Sequence, residues 1–443
     1  MTCESGMAYL TLAVFAAILL IFVLLDLPLI PALLIGLGLF LCYGKFKRLS
    51  WKKLGELMLG GIWTAGPIMI TMLLIGILTA CWRASGTVSA IICYSARLIR
   101  PSVFLPVCFL LNCLVSVLTG TSFGTAATMG VICMTMANTL GVSAFWTGGA
   151  ILAGSFFGDR CSPVSTSALL VCTLTDTEIT ENIRRMVKTA LLPFLLSCLV
   201  YLLAGMRGSH GSELLDVKAL FSKEFVLSWV CVLPAIAVLV VSAFRVRVRI
   251  TLAVSISLAV VLALTVQGSG ASELLKAAVF GYEGADADVA RMINGGGLVS
   301  MLNVSGIILI SSCYAGLFQG TGILDGVKHG IDRLADKITP FGAMVLMSVA
   351  GTAISCNQTL AIMLTHQLCG DLAEEKEQLA LDLEDSAVVI APLIPWSIAS
   401  AVPLATVNAP TASILAACYL YLLPISRLAG SLVRKYGKNP TRA

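Results

Sequence analysis

Apolar runs close to the roughly 20 residues that span a bilayer recur along this whole chain, separated by short clusters of charge or by glycine and proline. Two come first, residues 7–25 and 27–43, turning at Asp26-Leu27-Pro28, and they read as a pair of helices. A basic, amphipathic stretch follows (Lys45, Lys47, Arg48, Lys52, Lys53), then a long span over 60–81 and a shorter segment over 85–100. From Pro101 to Thr175 only Asp159 and Arg160 carry charge, so several spans or half-spans are expected to fold together there. Arg184, Arg185 and Lys188 precede a span that ends near Gly205, and a polar linker, 206–222, divides the chain.

The same order then returns. Spans over 223–244 and 250–266 flank Arg245, Arg247 and Arg249, a stretch containing acids reaches Asn294, and a long span covers 295–317. A mixed segment leads to Lys337, and mostly uncharged spans continue to the basic tail of Arg434, Lys435, Lys438 and Arg442. Local sequence repeats as well: Ser85-Gly86-Thr87 with Gln319-Gly320-Thr321, and Ser116-Val117-Leu118-Thr119-Gly120-Thr121 with Ser348-Val349-Ala350-Gly351-Thr352, allowing one gap. Asp159 has its counterpart in Asp385, and all these matches keep offsets between 226 and 234 residues. The reading is a duplication, with halves 1–205 and 223–443. Placing the basic clusters in the cytoplasm obeys the positive-inside rule, puts both termini inside, and makes the long spans of the two halves enter from opposite sides. The expected fold is an all-α polytopic membrane protein of about 11–12 spans, in two inverted repeats with broken or re-entrant segments.

Composition agrees: 58% of residues are hydrophobic and 12% charged, half the charge of ordinary soluble domains. The net charge of +5 sits in loops beside spans, so no nucleic-acid partner is expected. Fifteen cysteines lie scattered without CxxC spacing or a Cys/His cluster, and read as small packing residues. The first apolar run has neither a basic prelude nor a small-residue cleavage site, and is expected to stay as a helix. An enzyme would need a set such as HExxH or GxSxG; neither occurs, three histidines are present, and no cofactor is expected.

Candidate chemistry concentrates where polar residues interrupt apolar runs. Gly120-Thr121-Ser122-Phe123-Gly124-Thr125 holds three hydroxyls and two glycines; freed carbonyls with the oxygens of Thr121, Ser122 and Thr125 suit a hard cation such as Na⁺, and close helix packing is the competing role. Asp159 and Arg160, followed by Ser162 and Pro163, put a carboxylate at membrane depth, where such groups are paired or functional. One sequestered acid can hold H⁺ or Na⁺, with Arg160 as its charge partner; a salt bridge at a loop end is the alternative. In the second half Thr352, Ser355, Asn357 and Gln358 offer neutral ligands or interhelical hydrogen bonds. Glu384 and Asp385 form either a second carboxylate site, making Asp159 and Asp385 the two Na⁺ ligands, or an N-terminal helix cap. Pro392 and Pro395 must interrupt a helix. His366 and His329 are polar contacts, and Asn303-Val304-Ser305 lies inside a span.

At these residues the chain resembles the NhaC family of Na⁺/H⁺ antiporters, in the ion-transporter superfamily. The segments that carry the likeness are Gly120–Thr125, Gly154-Ser155-Phe156-Phe157-Gly158-Asp159-Arg160-Cys161-Ser162-Pro163, and Leu383-Glu384-Asp385-Ser386 with Pro392-Leu393-Ile394-Pro395-Trp396. The resemblance implies an inverted-repeat transporter of the cytoplasmic membrane that exchanges Na⁺ for H⁺ at a central site. Arg160 and Cys161 stand where Lys and Met are commoner, and the Ser355–Thr359 segment departs from the usual form. Because the family includes malate–lactate exchangers, Na⁺- or H⁺-coupled transport of a small carboxylate or an amino acid stays open as the alternative, and a homodimer is compatible with either.

Overall fold

The computed structural model describes residues 3–24, 27–95, 101–163, 165–208, 221–244, 246, 248–286, 289–290, 293–323, 338–373 and 375–437. The described residues form helices and no strand, apart from one isolated bridge between Tyr282 and Gly295. His329, Arg97, Arg100, Arg245, Arg247, Lys438 and Arg442 lie outside them.

The opening pair is α1 (Cys3–Leu24) and α2 (Leu29–Phe46). The basic stretch leads straight into the long span: Ser50 caps α3 by accepting from the Lys53 amide, and α3 then runs unbroken over Trp51–Ala84. After α4 (Thr87–Ser95) comes α5 (Pro101–Thr119). Helix α6 restarts at Ser122–Thr125, turns π-helical over Ala126–Gly130 and is α-helical again over Val131–Thr139. Then follow α7 (Ala144–Cys161), α8 (Thr166–Thr175) and α9 (Ile179–Gly208), which carries the polypeptide past residue 205 into the expected linker. In the second half α10 (Leu233–Ala243), α11 (Val248–Thr265), α12 (Ala271–Phe280) and α13 (Leu302–Thr321) precede α14 (Pro340–Ser355) and α15 (Gln358–Cys369). Helix α16 starts over Lys376–Leu383 and becomes π-helical at Glu384–Val388; α17 (Ile398–Thr406) and α18 (Cys418–Gly437) complete the chain.

Two described helices are long and apolar enough to cross a membrane by themselves, Pro101–Thr119 and Ile179–Arg207, and Lys376–Leu393 with Ile398–Thr406 makes a third, bent by 56°. Other apolar helices, such as Pro340–Ser355, are shorter, because breaks within apolar runs divide what hydropathy reads as single spans. Helix α9 leaves Val187, Leu191, Leu192, Leu195, Leu199 and Leu203 exposed, a continuous apolar face that water would not tolerate.

Cavities define the two ends of the bundle. The start of α5 (Pro101, Leu105) and the turn after α6 (Leu140, Gly141) line one cavity of about 550 Å³ together with Arg207 at the end of α9. The start of α14 (Pro340, Phe341) and the residues after α15 (Leu372, Ala373) line another, of about 620 Å³, with Arg427 and Arg434 of α18. The two lie at opposite ends: α7 begins beside the first, while α8 ends at Asp176, whose carboxylate pairs at 2.7 Å with Lys376 at the start of α16. That exposed ammonium holds the Asp176 carboxyl below the usual range.

The core of the other helices is the crossing of α3 and α13. A Cβ on Gly61 would lie 1.9 Å from the Ser312 carbonyl oxygen, and one on Gly316 1.9 Å from that of Leu57, so both backbones touch where only glycine fits. Gly316→Ala is expected to destabilise the protein by about 1–3 kcal/mol, the usual range for overpacking, read as a lowered melting temperature in detergent. An unchanged melting point would mean the helices separate freely there.

Candidate functional site

Four interruptions organise the site, and each restarts a helix with a side-chain cap. Thr121 accepts from the Gly124 amide to start α6, Ser165 from Ala168 to start α8, Asn357 from Thr359 to start α15 and Ser397 from Ala399 to start α17. Gly120 (φ +65°) and Cys356 (φ +54°) take the left-handed conformation that ends a helix. The breaks meet in pairs. Ser162 Oγ donates to the Val117 carbonyl at 2.6 Å, joining the first two. The Ile398 amide donates to the Cys356 carbonyl at 2.9 Å and Trp396 Nε1 to that of Ala353 at 2.9 Å, joining the second two.

Asp159 lies between the pairs. It is 4% exposed, and fifteen residues of α7 at 1.5 Å each put it roughly 22 Å from the Ala144 end. Gln358 Nε2, at the first position of α15, donates to Asp159 Oδ2 at 3.2 Å and to the Val388 carbonyl at 3.1 Å. Ser165 Oγ lies 3.2 Å from Asp159 Oδ1, Ser167 Oγ donates to the Asp159 carbonyl at 2.9 Å, and the two serine hydroxyls are 2.9 Å apart. The carboxylate is therefore cradled by neutral donors from both halves of the sequence.

Arg160 does not neutralise Asp159: among the described residues Asp159 has no ion pair, and the guanidinium binds a different acid. Arg160 is fully buried and binds Asp385 Oδ1, with Nε at 3.0 Å and Nη2 closer still. It also donates to Thr189 Oγ1 (2.7 Å), to the Met186 carbonyl (3.1 and 3.2 Å) and to Tyr419 Oη (3.4 Å). Arg427 Nε approaches the other oxygen, Asp385 Oδ2, at 2.7 Å, and its Nη2 lies 2.6 Å from Asp382 Oδ1. Asp385, expected as the second Na⁺ ligand, thus has one oxygen hydrogen-bonded by Arg160 and the other at ion-pair distance from Arg427 without a hydrogen bond. Nor do Glu384 and Asp385 cap a helix N-terminus, because they sit within a continuous helix at its π-helical turn.

Glu384 has a different environment. It is 1% exposed, yet neither carboxylate oxygen has a hydrogen-bond partner among the described residues, and the same holds for Thr352 Oγ1 on the packed helix α14. The remaining expected ligands have local partners: Thr125 Oγ1 donates to the Thr121 carbonyl at 2.9 Å, and Ser355 Oγ to that of Asn357 at 3.0 Å. Ser122 is buried in the first turn of α6, and His366 lies in the last turn of α15. Sequence reasoning missed Asp382, Tyr419 and Arg427. Arg427 left a signal: it is the first charge after the uncharged run 386–426.

The sequence pattern of the Na⁺/H⁺ antiporter family matches this chain over residues 5–176 and 156–430. Among similar proteins, the Na⁺/H⁺ antiporter NhaC of Alkalihalophilus pseudofirmus is 27% identical, over 99% of this chain and 98% of that one. The malate-2H⁺/Na⁺-lactate antiporter of Bacillus subtilis is 26% identical over 87% of this chain and 85% of its own length. The arginine/ornithine antiporter ArcD of Halobacterium salinarum is 25% identical over 80% and 76%.

Proposed function

The chain belongs to the Na⁺/H⁺ antiporter family, and on that premise we propose that it is a multi-pass secondary transporter that exchanges Na⁺ for H⁺ across the cytoplasmic membrane by alternating access. The observation that carries the reading is the Gln358–Asp159 hydrogen bond, which puts one buried acid where breaks of both halves come together. Protonated, Asp159 is a neutral group; when Na⁺ enters, the carboxylate takes the cation and the proton leaves by the side then open. Gln358, Ser165 and Ser167 orient the acid, Ser162 ties its break to the first one, and Thr352 and Glu384 are the buried oxygens left for the ion. Thr121, Ser122, Thr125, Ser355 and Asn357 build the breaks themselves, and Arg160 holds Asp385 away from the cation.

In this reading residues 1–205 and 223–443 are inverted repeats joined by 206–222, about 11–12 spans in all, with both termini cytoplasmic. It is supported by the way α5–α6 and α14–α15 each begin and end beside one cavity, as re-entrant hairpins would, at opposite ends of the bundle. The cavity beside Arg427, Arg434 and Lys435 is then the cytoplasmic one.

In everted vesicles, Na⁺ added without any organic solute is expected to dissipate an imposed pH gradient. Gln358→Ala is expected to raise the Na⁺ concentration for half-maximal exchange by about tenfold, the worth of one hydrogen bond to a charged group. A second reading, coupled transport of a small carboxylate or amino acid, draws on the names of two relatives. It requires that Na⁺ alone leave the gradient intact.

A further inference from the structure

The chain Arg160–Asp385–Arg427–Asp382 runs from the residue after Asp159 to a cavity wall. Its inner members are sealed, with Arg160 and Asp385 side chains both 0% exposed. Its outer members, Arg427 at 14% and Asp382 at 8%, line the cavity of about 620 Å³. We infer that Arg427 is the cytoplasmic gate of the exchange, a positioning residue whose guanidinium closes this cavity against the ion site; the inference rests on the transport reading above.

Three observations carry it. First, among the described residues Arg427 bridges two carboxylates of α16, by a hydrogen bond from Nη2 to Asp382 and an ion-pair contact of Nε with Asp385, while itself standing on α18. A guanidinium presents its nitrogens to the two acids at fixed spacing, whereas an ammonium is a compact point charge on a flexible stem. Closure therefore depends on where one helix, α18, sits relative to another. Second, the arrangement is one-sided. Among the described residues, the cavity at the other end is lined by apolar and small residues with Arg207 as its charged group, and by no carboxylate. A device needed only for stability would be served as well by apolar packing, since buried ion pairs seldom out-stabilise hydrophobic replacements. Third, Arg427 also lies over the Phe341 ring at 5.4 Å. Phe341 opens α14, so the same side chain touches the base of the second-half hairpin. When the end of α18 tilts away, Arg427 leaves both carboxylates, and water from the cavity reaches Arg160 and the buried Cys161 thiol, 3.1 Å from Arg160 Nη1.

Cys161 is thus a native reporter. Full-length protein in everted vesicles would be treated with a membrane-impermeant cationic methanethiosulfonate, with labelled cysteines identified by mass spectrometry. In the parent protein Cys161 should label slowly. Arg427→Lys, which keeps the charge and loses the fork, and Asp382→Asn, which removes the outer clasp in an isosteric side chain, should each raise its rate by about tenfold or more. Cys108, fully buried elsewhere, should stay protected in both, and the rise should vanish when reagent is added to right-side-out vesicles. Equal protection of Cys161 in all three proteins overturns the gate, and so does Cys108 labelling that rises in step with it in both variants, since the network then only holds the fold. Na⁺-dependent proton movement is measured on the same vesicles. Its absence in the parent protein, with Cys161 behaving as expected, removes the antiport reading and leaves the gate standing.

Discussion

Asp159→Asn is expected to leave everted vesicles unable to collapse a pH gradient when Na⁺ is added. The carboxylate accepts from neutral donors, Gln358 Nε2 and Ser165 Oγ, and has no ion pair among the described residues, so its charge is free to meet a cation. For a contact near 4 Å at an effective dielectric of 20, that charge is worth about 4 kcal/mol, or nearly a thousandfold in cation affinity. Asparagine keeps the shape and the bond from Gln358 and loses both the charge and the proton. Asp159→Glu, which retains both and displaces them by one methylene, should recover measurable exchange. Full activity in the asparagine variant would remove Asp159 from the mechanism.

Arg160→Ala has the largest expected effect on the fold. It deprives the sealed Asp385 of one guanidinium, takes one of its donors from the Met186 carbonyl and leaves the Thr189 hydroxyl without the donor it accepts from. Breaking a buried pair by removing one partner typically destabilises by about 3–5 kcal/mol, visible as loss of monodisperse protein and a lowered melting temperature in detergent. The double variant Arg160→Ala/Asp385→Ala should regain part of that loss, because no charge is then stranded against Arg160's site. A double variant no better than the single would show that Arg160 acts through packing alone.

The helical class and the positions of the breaks were legible because their causes are local: glycine, proline and hydroxyl residues inside apolar runs. Gly120-Thr121 and Pro395 mark interruptions that the structure contains, whereas Ser162 and Asn357, read only as candidate ligands, proved to stand at breaks too. Partners were not legible. Sequence adjacency suggested Arg160 for Asp159, but consecutive residues on a helix point about 100° apart, and the guanidinium found an acid 225 positions away. Caps were misjudged for a related reason. A side-chain oxygen at a break serves an ion or an orphan amide equally well on paper, and the geometry gives the Thr121 hydroxyl and the Asn357 carboxamide oxygen to amides. The π-helical turn at Glu384–Val388 has no composition signal, although it sets Glu384 and Asp385 in different surroundings.

Gly61 and Gly316 leave no room for a side chain between α3 and α13, and such bare backbone contact resists sliding, since any shift of a residue's length would drive a bulkier neighbour into the opposing carbonyls. Whatever rocks during turnover must therefore pivot around this pair as a door turns on its post. Spin labels on α3 and α13 should report one unchanging separation with and without Na⁺, while labels between either of them and α18 should broaden.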